Sequence, residues 1–94
     1  MIRGFEDKET EKIFRQEFSK KLPESIQKTA LRKLIMLNAA EKTEDLRVPP
    51  GNHLEALSGD RQGQLSIRIN EQYRICFRVV DGGFDQVEII DYHS

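Results

Sequence analysis

Apolar and polar positions alternate along this chain with two different periods, and the period changes mark its elements. Ile2 to Phe5 alternates over a short stretch and predicts an opening strand. From Asp7 the spacing turns helical. Ile13, Phe14 and Phe18 form an apolar stripe, predicting a first helix that ends near the Lys20-Lys21 pair. Pro23 stands where a first helical turn tolerates it, because its missing N–H would have no helical acceptor there. Ile26, Ala30, Leu34 and Leu37, supplemented by Leu31 and Ala40, recur at spacings of three and four. That pattern predicts an amphipathic helix over residues 23–40, with one face covering a sheet. The two helices read as an antiparallel hairpin.

Pro49-Pro50-Gly51-Asn52 interrupts regular structure, and short strands begin at about His53. In Gln64 to Asn70, Leu65, Ile67 and Ile69 face one way, while Gln64, Ser66, Arg68 and Asn70 face the other. In Gln72 to Val80, Tyr73, Ile75, Phe77 and Val79 face the core, while Arg74, Cys76 and Arg78 face outward. Gly59 and Gly63 bracket a turn or loop crossing, Asp81-Gly82-Gly83 signals another turn, and Gln86 to Tyr92 supplies one more strand. The link between the two central strands decides their register. A two-residue loop would pair Arg68 with Tyr73 and set opposite faces together. A three-residue loop, Asn70-Glu71-Gln72, keeps the apolar faces aligned and sets Arg68 across from Arg74. Directly opposed like charges are unfavourable. Such a pair is arranged for an anion, or else extends into water or pairs with Glu88 or Asp91. The elements amount to an α+β fold in one domain, residues 1–94.

Charge changes the picture once it is divided along the chain. The formal net charge is -1. Residues 12–33 nevertheless carry Lys12, Arg15, Lys20, Lys21, Lys28, Arg32 and Lys33 against only Glu17 and Glu24. Residues 61–80 carry Arg61, Arg68, Arg74 and Arg78 against Glu71, and residues 81–94 carry Asp81, Asp85, Glu88 and Asp91 with no Lys or Arg. A polyanionic partner responds to such local fields rather than to the total. The helical cations also read as an ordinary solvated face. Cys76 is the single cysteine, which predicts no intramolecular disulfide, a cytoplasmic location and a small packing role. No apolar run approaches the ~18 residues of a membrane span, and the N-terminus lacks the apolar centre of a signal peptide. No membrane association is expected.

The chemistry-bearing residues collect in the last third. Cleaving RNA without a metal requires proton transfer, cations for the charge developing on phosphorus, and alignment of both. His93 is the candidate for proton transfer, since free imidazole titrates near ~6.5; a residue so close to the end also reads as a frayed tail. Arg74 is the candidate clamp, because guanidinium grips two phosphate oxygens and keeps its charge. Tyr92 offers a ring for base stacking and a phenol, and Asp91 offers a carboxylate that orients a cation or accepts a proton. Arg61, Arg68, Arg78 and Ser58 complete the set as phosphate-binding candidates. His53 and one cysteine make no metal-ligand spacing, and no glycine-rich phosphate loop or dinucleotide fingerprint appears. Neither a metal nor a cofactor is expected. His53 reads as a surface loop residue.

Three segments together resemble a known family. They are Leu54-Glu55-Ala56-Leu57-Ser58-Gly59-Asp60-Arg61-Gln62-Gly63, then Ser66-Ile67-Arg68-Ile69-Asn70-Glu71-Gln72-Tyr73-Arg74-Ile75-Cys76-Phe77, then Asp91-Tyr92-His93. With Met1-Ile2-Arg3-Gly4-Phe5 and the Leu34–Ala40 helix, they resemble the HigB-type toxins, the plasmid maintenance system killer branch of the RelE/ParE superfamily. The resemblance implies a RelE-like fold, a two-helix hairpin on a mostly antiparallel twisted sheet of four to five strands. It implies a type II toxin acting as a ribosome-dependent, metal-independent mRNA endoribonuclease that inhibits translation and growth. The implied partners are a helix-turn-helix antitoxin of HigA type, the 70S ribosome and mRNA, with operator DNA reached only through the antitoxin. Position by position, Arg74 matches the family's phosphate-stabilising arginine, and Asp91, Tyr92 and His93 match its C-terminal trio. Some members carry a lysine at the position of Ser58 and a histidine at that of Glu55. Their absence implies weaker phosphate binding and slower cleavage, with Arg61 or Arg68 as a partial substitute. Two other functions remain open: a ParE-like gyrase poison, and a weakened toxin acting mainly through antitoxin binding and operator regulation.

Overall fold

The computed structural model describes residues 1–92. Its elements run in the order helix α1 (Lys8–Phe14), helix α2 (Glu24–Ala39), 3-10 turns at Thr43–Arg47 and Pro50–Asn52, strand β1 (Glu55–Ala56), a 3-10 turn at Gly59–Arg61, and strands β2 (Leu65–Arg68), β3 (Tyr73–Val80) and β4 (Gly83–Asp91). The four strands form one antiparallel sheet in chain order. Both helices pack on it through β4 and against each other. The architecture is the expected α+β arrangement.

Helix α1 starts where Asp7 caps it, accepting a hydrogen bond from the Thr10 amide at 2.8 Å. It ends at Phe14 rather than near the Lys20-Lys21 pair, and Phe18 is 60% exposed instead of lying on the stripe. The cause is a polar clamp. Gln16 adopts a left-handed φ of 65°, and the chain turns so that Ser19, not Phe18, is buried. The Ser19 hydroxyl donates to Glu9 at 2.6 Å, and its amide donates to the Gln27 side chain at 3.1 Å. Gln27 in turn donates to the carbonyls of Ser19 and Leu22 at 2.8 and 2.9 Å. Backbone groups that a longer helix would have paired internally are satisfied by these side chains.

Helix α2 follows its pattern closely, burying Ile26, Ala30, Leu34 and Leu37. Lys33 departs from the solvated face expected of the cations in 12–33. It is 5% exposed, and its ammonium donates to the Asn52 side-chain oxygen. Asn52, fully buried, donates onward to the carbonyl of Leu46 at 3.0 Å. An α2 lysine thereby fastens the non-repetitive segment that precedes β1.

Asn70 closes the β2–β3 turn by accepting from the amides of Gln72 and Tyr73 at 2.8 and 2.7 Å. The register is the three-residue-loop alternative, with Ile67 opposite Ile75 and Arg68 opposite Arg74. Strand β4 begins at Gly83 rather than Gln86 and carries a bulge facing Phe77, where Gln86 takes a φ of 52°. The extra residue shifts the alternation, so Phe84 and Val87 both reach the core although three positions apart. Ile2 to Phe5 runs alongside β4 through two parallel bridges, Ile2 to Phe84 and Phe5 to Val87. It covers the outer edge of the sheet. Among the described residues no helix is long and apolar enough to cross a membrane.

Candidate functional site

The sheet face away from the helical core is where the candidate residues meet. Alternation along β3 sends Arg74 and Cys76 to that face, as expected, but not into solvent. Arg74 is 7% exposed, and Cys76 and Ser66 are fully buried. The segment between the Pro50–Asn52 turn and β2 folds across this face and covers them. Its most direct contact is the His53 carbonyl, which accepts from Arg74 Nη2. Arg74 Nε also donates to the Ser66 hydroxyl at 2.7 Å, and the Glu55 carboxylate stands 3.8 Å from Nε. His53 is therefore a left-handed loop residue, with φ 44°, whose backbone does structural work.

Tyr92 completes the arrangement. Its ring lies over the Arg74 guanidinium, 5.3 Å from centroid to Cζ, and its hydroxyl donates to Glu55 at 3.0 Å. Its amide donates to the Gln72 carbonyl at 2.7 Å, pinning this end of β4 to the β2–β3 turn. The hydrogen bond to Glu55, reinforced by that residue's charge, pushes the phenol's pKa up. Tyr92 separates two open grooves. One, of about 340 Å³, is lined by Arg68, Asn70, Glu71, Arg74 and Tyr92. The other, of about 470 Å³, is lined by Leu57, Ser58, Arg61, Ile90, Asp91 and Tyr92.

Six of the eight candidates thus share one surface: Arg74, Arg68, Tyr92, Asp91, Arg61 and Ser58. Asp91 lies opposite Tyr73 in register, one position off the Arg74 line, and its carboxylate accepts from Gln72 at 2.8 Å. Arg61 is held by Glu88 at 2.9 Å, a hydrogen bond that raises its pKa and partly neutralises its charge. Arg78 stands apart. It lies four residues along β3 from Arg74, on the order of 13 Å at a strand's rise, and donates to Gln86 at 2.9 Å. It lines neither groove. His93 lies outside the described residues.

Burial pushes the Cys76 thiol up to about 11, which keeps it protonated and unreactive at neutral pH. Sequence reasoning registered Glu55 only as the position where some family members carry a histidine, and missed its contacts with both Arg74 and Tyr92. It also missed Ser66 and the His53 carbonyl. The alternation that aims Arg68 outward carries the signal for Ser66, two residues earlier on the same face. A backbone carbonyl in a Pro-Gly-Asn loop leaves no comparable trace.

Residues 3–93 match the family of HigB-like toxins, described as the RelE-like toxin of the type II toxin-antitoxin system HigB. The chain is 46% identical over 83 residues to Toxin HigB-1 of Vibrio cholerae serotype O1, covering 87% of each chain. It is 39% identical over 74 residues to an uncharacterized protein of Haemophilus influenzae, covering 79% of this chain and 72% of that one. The solution structure of the conserved hypothetical protein HP0894 from Helicobacter pylori superposes with a TM-score of 0.57 at 15% identity. That match covers 100% of this chain and 98% of the other, and it shows a shared fold. Membership in such a system implies a cognate antitoxin as partner. The chain belongs to the HigB-like toxins of type II toxin-antitoxin systems.

Proposed function

We propose that this toxin is a metal-independent mRNA endoribonuclease that cuts messages held in the A site of the 70S ribosome in the cytoplasm, arresting translation and growth. One observation carries the reading: a guanidinium held rigid by Ser66 and the His53 carbonyl, capped by the Tyr92 ring, in an open groove that a second arginine also lines. Pre-positioned cations of this kind stabilise charge developing on a phosphoryl group. Arg74 is the clamp, with Arg68, Arg61 and Ser58 meeting flanking phosphates. Tyr92 stacks on a base, and Asp91 steadies the Gln72 side chain at the groove's end. His93 gives a proton to the departing 5′-oxygen. Both grooves are shallow, so the ribosome supplies the substrate alignment that this small surface does not. A helix-turn-helix antitoxin of HigA type restrains the toxin and carries it to operator DNA.

Mapping mRNA 5′ ends after induction in a bacterial host tests this, comparing wild type with His93→Ala. Cuts within translated regions that require His93 are expected. Growth arrest with DNA damage and no cuts would instead identify a gyrase poison. Neither cuts nor arrest, with antitoxin binding intact, would identify a regulatory binding module.

A further inference from the structure

We infer that Lys33 of helix α2 is a positioning residue for the phosphate clamp, fixing the plane of the Arg74 guanidinium through Asn52 and the His53 carbonyl; this rests on the ribonuclease reading above. Two contacts orient that guanidinium. Ser66 accepts from Nε at 2.7 Å and belongs to β2, which pairs with Arg74's own strand. The His53 carbonyl accepts from Nη2 and belongs to a loop, ahead of the strand pairing that begins at Glu55. The N–H groups of a guanidinium form a rigid planar fork. Held at Nε alone, the fork pivots about that contact, so the loop carbonyl decides how it meets a phosphate.

Helix α2 holds that loop in place. Asn52 stands directly before His53 and is fully buried. Its side-chain oxygen accepts from the Lys33 ammonium. Its side-chain nitrogen donates to the Leu46 carbonyl at 3.0 Å and to the Met36 sulfur at 3.2 Å. Lys33 and Met36 are three residues apart and so are neighbours on one face of α2. The helix therefore grips Asn52 at two points. Only one residue of backbone, His53 in its left-handed conformation with φ 44°, separates this anchor from the carbonyl that Arg74 uses. Lys33 is 5% exposed, so its charge meets Asn52 rather than solvent. A buried charged contact adds little stability over an apolar side chain of the same volume. It does enforce geometry, because an ammonium left without its partner there is costly.

The experiment compares wild type with Lys33→Met and Lys33→Gln in two readouts: hydrogen exchange of the purified full-length toxin by NMR, and single-turnover cleavage on programmed 70S ribosomes. Methionine keeps an unbranched stem but donates nothing to Asn52. Exchange of the Arg74 Nε–H is expected to quicken severalfold in Lys33→Met. The amide of Ile75, fully buried one residue along β3, is expected to keep its protection. A general loss of stability would quicken both alike. The maximal cleavage rate is expected to fall roughly 10- to 100-fold, with the half-saturating ribosome concentration unchanged. Lys33→Gln keeps a donor one bond shorter, so Asn52 must shift or lose it, and both readouts are expected to fall between the other two proteins. Wild-type exchange at Arg74 in Lys33→Met, equal acceleration at Ile75, or an undiminished cleavage rate would overturn the assignment. So would a loss borne by ribosome affinity, which marks a ribosome contact instead. Should Lys33→Met not fold, Lys33→Gln decides, and wild-type values in both readouts overturn it. A wild-type toxin that leaves ribosome-bound message intact refutes the ribonuclease reading, and Arg74 exchange then decides the positioning alone.

Discussion

Arg74 shows what a buried charge demands of its neighbours. A buried guanidinium is tolerable only when its N–H groups are bonded, and here Ser66, the His53 carbonyl and Glu55 supply those contacts. Lysine at this position keeps the charge but has neither the planar fork nor the reach to bond Ser66 and His53 at once. Arg74→Lys is therefore expected to lower unfolding free energy by about 1–3 kcal/mol, read from urea midpoints at unchanged slope. Ser19 offers a second test at this scale. Its hydroxyl holds the Glu9 carboxyl below its ordinary 4.5. The folded value being the lower one, this contribution is present above 4.5 and disappears as pH falls through the folded value. Ser19→Ala should melt below wild type at neutral pH, and the gap should narrow on acidification past 4.5. A gap that stays constant with pH would mean that the Glu9 contact is not its source.

Elements differed in how far their pattern could be read. Helix α2 was legible because four buried residues repeat at helical spacing with nothing to interrupt them. The β2–β3 register was legible because alternating apolar faces permit only an odd loop there, and that same argument placed Arg68 opposite Arg74. Helix α1 was overread: Phe18 fits its stripe, but the clamp of Ser19 on Glu9 and Gln27 depends on contacts eight and ten residues apart that periodicity does not record. The burial of Arg74 was hidden for a related reason. It depends on a two-residue strand and on a loop carbonyl, neither of which has a sequence pattern. What seats that loop is Asn52, joined to Lys33 of α2 and to the Leu46 carbonyl. Burial pulls the Lys33 pKa down, so its ammonium depends on this partner. Asn52→Ala removes the acceptor of a buried cation and orphans a buried carbonyl. A loss of about 2–4 kcal/mol is expected, by chemical denaturation. Amide exchange should quicken in residues 46–53 before it does in α2.

At the scale of the molecule, the cover on one edge of the sheet is separated from the Arg74 network. Strand β4 would present an open edge, the usual site of unwanted strand pairing, but Met1 to Phe5 lies along it. The Phe84 amide donates to Met1 at 2.9 Å, and the Val87 amide donates to Gly4 at 3.1 Å. Gly83 makes this closeness possible, since a Cβ there would overlap the Met1 carbonyl. Gly83→Ala must therefore push the N-terminal segment away from β4. The expected cost is about 1–3 kcal/mol, the usual range for overpacking. Hydrogen exchange should accelerate first at Phe84 and Val87, and self-association should rise with concentration as the edge opens. The Arg74 network belongs to β1, β2 and β3, with Tyr92 pinned at the opposite end of β4 by Gln72. Protection at Arg74 and Ile75 should consequently persist while Phe84 and Val87 are lost. Simultaneous loss at all four positions would show that the covered edge and the arginine face form one cooperative unit instead of two.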